Sequence, residues 1–69
     1  MLVEHEESLR LDAIIAHRVG WQIDDLHVYI DGENVVLEGH AKTGGARAQA
    51  EREAAEVTGL SVDNRLVVG

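Results

Sequence analysis

The stretch Leu26-His27-Val28-Tyr29-Ile30-Asp31-Gly32-Glu33-Asn34-Val35-Val36-Leu37-Glu38-Gly39-His40 decides the fold. Leu26, Val28 and Ile30 alternate with His27, Tyr29 and Asp31 at the period of a half-buried strand. Val35, Leu37 and Gly39 alternate in the same way with Val36, Glu38 and His40, and Asp31-Gly32-Glu33-Asn34 supplies turn residues between the two runs. A two-residue Asp-Gly turn would set Glu33 on the apolar face. A four-residue loop instead pairs Ile30 with Val35 and Val28 with Leu37. Register follows the buried face, so the second pairing is expected. It gathers His27, Tyr29, Val36, Glu38 and His40 on the outer face, with Glu38 opposite His27.

Outward from the hairpin the chain reads as helix on both sides. Residues 4 to 19 carry Leu11, Ile14, Ile15 and Val19 at helical spacing, with Ala13 and Ala16 as good helix formers. Glu4, Glu6 and Glu7 suit a helix N-terminus; alternatively Ser8 is the N-cap and residues 1–8 fray. Gly20 stops the helix, and Trp21 and Ile23 are expected to fold back over the end of the core. On the far side Thr43 caps a second helix, 44 to 58, whose buried stripe is Ala46, Ala50, Ala54 and Val57. Arg47 with Glu51 and Arg52 with Glu56 are spaced as pairs on its wet face. Gly59 ends it, Leu60 lies in the junction, and Val62, Leu66, Val67 and Val68 form a last strand. The expected fold is α+β in the order α-β-β-α-β: one domain, 1–69, with two helices on one face of a three-stranded mixed sheet.

Composition narrows the rest. The chain has 69 residues, 13 acidic against 6 basic side chains and a formal charge of −7. It holds no Phe and no Cys, and only one Trp, one Tyr and one Met, so its core is aliphatic and thin and help from a partner subunit is expected. The lack of cysteine removes disulfide frameworks, zinc ribbons and thiol nucleophiles. No apolar stretch approaches the ~20 residues of a membrane span, and Met1–Glu7 has no signal-peptide pattern. A cytoplasmic location is expected, or a periplasmic one for a domain cut from a longer exported chain. Net charge −7 with one Trp and one Tyr argues against nucleic acid.

The hairpin Asp31-Gly32 followed by Val35-x-Leu37-x-Gly39, the Ala-rich helix, and Gly59 followed by Val62-x-Asn64-x-Leu66 together resemble the BON (bacterial OsmY and nodulation) domain family. The resemblance covers about Leu11 to Val68 and rests on order and spacing. Two departures stand out: one extra residue in the hairpin loop, and Gly59-Leu60-Ser61-Val62 one residue shorter than the usual pattern. The resemblance implies an α/β binding module, attached to proteins or to phospholipid membranes, without catalytic residues or cofactor. The matching positions read as turn and packing chemistry.

Three constellations could carry chemistry. His27, Glu38 and His40 offer two imidazoles and a carboxylate, but neither HExxH nor HxH spacing nor cysteine accompanies them, and they read as exposed strand positions with no metal expected. Lys42-Thr43-Gly44-Gly45 with Arg47 sets basic residues at a helix start, where a phosphate or lipid head group would bind, beside the plainer reading of an N-cap with loop glycines. Tyr29 opposite Val36, rimmed by His27, Glu38 and His40, has the anatomy of an interface, with Asp63, Arg65 and Val67 as further members. The expected function is a non-catalytic module that binds proteins or itself, with a homo-oligomer favoured; peripheral phospholipid association is the alternative.

Overall fold

The computed structural model describes the backbone of residues 3–69 and the side chains of residues 11–69. The expectations for the side chains of Glu4, His5, Glu6, Glu7 and Ser8 lie outside the described residues. Helix α1 (Val3–Val19) leads through a 3-10 turn, Gly20–Gln22, into β1 (Ile23–Asp31). There follow β2 (Asn34–Ala41), α2 (Gly44–Thr58), β3 (Ser61–Asn64) and β4 (Val67–Val68). β1 and β2 are antiparallel, while β3 and β4 both run parallel to β2 on its other side. The helix between β2 and β3 makes that parallel return possible.

The hairpin register is the expected one, Ile30 with Val35 and Val28 with Leu37, and it extends to Asp31 with Asn34, leaving Gly32 and Glu33 as the turn. Farther along, two residues of β1, Asp25 and Leu26, oppose Gly39 alone. This bulge shifts the phase of β1, so that Ile23 and Val28 both face inward although a regular strand would put them on opposite faces. Asp25 takes φ 55° and Gly39 φ 144° to accommodate it. A Cβ at Gly39 would stand 2.8 Å from the Asp24 carbonyl oxygen and 2.9 Å from that of Asp25, so only glycine fits.

The core joins Ile15 and Val19 of α1 to Ile23, Val28, Val35, Leu37 and Ala41 of the sheet and to Ala46, Ala50 and Ala54 of α2. Three alanines let α2 lie close to β2 and β3. Thr43 caps α2, its Oγ1 accepting from the Ala46 amide at 3.0 Å, and Gly59 closes it in the left-handed conformation with its amide on the Ala55 carbonyl at 2.8 Å. Leu60 packs against the core at the junction, and β3 begins at Ser61.

Four details depart from the expectations. The last strand is two strands, so the sheet has four, not three. Asn64 Oδ1 accepts the Leu66 amide at 3.1 Å, a local turn that breaks the ladder and drives Leu66 into the core. Trp21 does not fold over the core, because Ile23 fills that position and Trp21 stands 78% exposed. Arg47 does not pair with Glu51: its guanidinium reaches the carbonyls of Asn64 and Leu66, and Glu51 takes Asn64 Nδ2 instead. Glu56 meets not Arg52 but Arg18 of α1, at 4.0 Å, and Arg18 also holds Glu53 at 2.8 Å.

Candidate interaction surface

The sheet face away from the helices carries His27 and Tyr29 on β1, Val36, Glu38 and His40 on β2, and Asp63 on β3. Val36 sits in the middle, between Tyr29 and Asp63. It is not the exposed apolar centre the sequence suggests: only 1% of it meets solvent. Polar side chains pair with one another on this face. Tyr29 Oη donates to Glu38 Oε2 at 2.9 Å, and Arg65 Nε donates to Asp63 Oδ2 at 3.0 Å. The Glu38 hydrogen bond, aided by partial burial and the Glu38 charge, holds the Tyr29 phenol above its usual range. Asp63 raises the Arg65 guanidinium in the same way, through its hydrogen bond first and its charge second.

His27 and His40 are exposed on that face, but Glu38 is engaged by Tyr29. Among the described residues no three histidine or carboxylate side chains come together as metal ligands. The basic residues at the start of α2 diverge. Lys42 Nζ lies 3.4 Å from Asp24 and 5.7 Å from the centre of the Trp21 ring, whereas Arg47 turns to the β3–β4 break. Gly44 and Gly45 remain exposed on the first turn of α2 behind the Thr43 cap.

Exposed large apolar side chains also stand at the sheet end where β1 begins and β2 and β4 finish. The Lys42 amide donates to the Gln22 carbonyl at 2.9 Å and the Gly69 amide to the Ala41 carbonyl at 3.3 Å, so three chain segments lie side by side there. Trp21 stands at this end with Val67, 55% exposed, and Val68, 45% exposed. Val67 neighbours His40 on the outer face. The sequence pattern predicts Val67 on the outer face, whereas it predicts Trp21 over the core. A glycine-initiated turn before a strand that already supplies Ile23 is the signal that could have placed Trp21 outside. A solvent-open groove of about 470 Å³ runs along α2 and β3, lined by Ala48, Arg52, Ala55, Leu60 and Val62 among others.

The residues of the motif are structural throughout. Asp31 and Gly32 make the hairpin, Val35 and Leu37 are core, and Gly39 admits the bulge. Gly59 caps α2, Val62 packs on the core, Asn64 breaks the last strand and Leu66 fills the space below it. The family model described as BON domain matches residues 9–69. Comparison with curated proteins and with solved structures yields no match.

Proposed function

The chain belongs to the BON domain family, and on that premise we propose that it is a non-catalytic module that binds a protein partner, or a second copy of itself, through the sheet end bearing Trp21, Val67 and Val68. The observation that carries this reading is Trp21. The one tryptophan of a chain short of aromatic core residues is spent on the surface, at the sheet end that also carries the exposed Val67 and Val68. Large aromatic side chains in such positions are the usual anchors of protein interfaces. The non-catalytic part of this reading rests on the family, whose motif residues here serve turns and packing.

Trp21 beside Lys42 also suits the alternative, peripheral association with phospholipid. The charges weigh against it. Of six basic side chains, Arg18, Lys42, Arg47 and Arg65 are each engaged within the chain, and the net charge of −7 repels an anionic bilayer. Trp21 fluorescence decides between the two. Adding phosphatidylglycerol vesicles should leave the emission unchanged and the protein in the supernatant. A salt-sensitive blue shift with co-sedimentation would establish the lipid reading instead. In sedimentation equilibrium, self-association that Trp21→Ala abolishes supports the sheet end as the site. Association unchanged by that substitution places it elsewhere.

A further inference from the structure

A sheet of this order has two free edges, the outer side of β1 and the outer side of β3 and β4. Each presents unpaired backbone groups on which a strand of another chain can add. Here each edge is met at one place by a charged side chain lent by a helix. On β1 the Val28 amide points away from β2 and donates to Asp12 Oδ1 of α1 at 2.6 Å. On the opposite edge the Arg65 amide faces β2, donating to the Leu37 carbonyl at 2.9 Å. Alternation therefore turns the carbonyls of its neighbours Asn64 and Leu66 outward. Arg47 of α2 meets both, Nη2 on Asn64 at 3.0 Å and Nε on Leu66 at 3.1 Å.

We infer that Asp12 and Arg47 are edge guards, which close the sheet of this domain against strand addition by a second copy of the chain. An incoming strand would have to displace a charge-assisted hydrogen bond at either edge and leave a carboxylate or guanidinium without its partner. The stretches left open on the second edge are short, Ser61–Asp63 before Arg47 and Val67–Val68 beyond it. The groove beside it is consequently no strand acceptor. Partners are recognised by side chains on the sheet end and face, and not by backbone pairing.

The test joins Asp12→Ala and Arg47→Ala and compares mass by sedimentation equilibrium with the unguarded change absent. Trp21→Ala is carried in both proteins, so that association through the sheet end does not contribute and the two proposals fail separately. The guarded protein should stay at one mass over a wide concentration range, and the unguarded one should show a reversible rise toward twofold. A folded unguarded protein of unchanged mass overturns the inference. Should the double substitution fail to fold, amide hydrogen exchange on the unaltered chain decides. The Val28 amide should exchange at least about tenfold more slowly than that of Ile30, which faces outward on the same edge and has no side-chain partner among the described residues. Equal rates overturn the inference.

Discussion

Asn64 and Arg47 exchange hydrogen bonds across 17 positions of sequence: Asn64 Nδ2 donates to the Arg47 carbonyl at 3.1 Å, and Arg47 Nη2 donates to the Asn64 carbonyl at 3.0 Å. The same Asn64 accepts the Leu66 amide and donates to Glu51. One side chain thus breaks the last strand, directs Leu66 inward and fastens α2 above the break. Asn64→Ala removes three of these bonds at a half-buried site and should lower stability by about 2 kcal/mol in urea unfolding. Asn64→Asp keeps the acceptor for Leu66 but loses both donors and sets a second carboxylate beside Glu51. It should recover little of the loss.

Gly39 and Gly45 should respond oppositely to the same methyl group. Gly39→Ala drives a Cβ to 2.8 Å from the Asp24 carbonyl oxygen in a positive-φ conformation, which only movement of the bulge can relieve. A loss of about 3 kcal/mol or more is expected, enough to unfold a domain of this size. At Gly45 a Cβ meets only Thr43 Oγ1 at 3.8 Å, inside the first turn of α2. Gly45→Ala should raise stability by about 0.5 kcal/mol through better helix propensity. Thermal unfolding of the two variants side by side is the measurement.

The hairpin register and the bounds of α2 were legible in the sequence because each is signalled locally: period-two alternation around Asp31-Gly32, and Thr43 and Gly59 at the ends of an Ala-rich run. The bulge was not. Its signature is a phase conflict, Ile23 and Val28 both apolar at incompatible spacing, and it is visible only once Ile23 is admitted to the strand. Asn64 and Gly39 were legible as members of a motif, but their roles depend on backbone atoms of another element, the Arg47 carbonyl in one case and Asp24 and Asp25 in the other. Periodicity cannot report such partners. Val36 was assigned to the correct face and the wrong environment, since alternation tells which way a side chain points and not what lies over it.

The burial of Val36 has a measurable consequence. An exposed valine on an open sheet face would tolerate truncation at a cost below about 0.5 kcal/mol. Covered as it is, at 1% exposure, Val36→Ala should cost about 2 kcal/mol in denaturant unfolding. Ile30→Ala, at the half-exposed end of the same hairpin, should cost clearly less despite removing more atoms.

Tyr29, the cross-strand neighbour of Val36, titrates. Tyr29 is the one tyrosine of the chain, so the ultraviolet absorbance of its phenolate reports a single group. Its hydrogen bond to Glu38 favours the protonated phenol, and the midpoint should lie above the ordinary phenol value of 10.0. The folded state therefore holds this proton more tightly than the unfolded state does. Its contribution to stability is complete below pH 10.0 and is lost as pH rises from there through the folded pKa. Glu38→Gln leaves a side chain that can still accept a hydrogen bond but lacks charge, so the midpoint should fall back toward 10.0 without returning fully. Tyr29→Phe should remove this part of the alkaline loss altogether. A midpoint at or below that of an ordinary phenol would place Tyr29 Oη in water and away from Glu38.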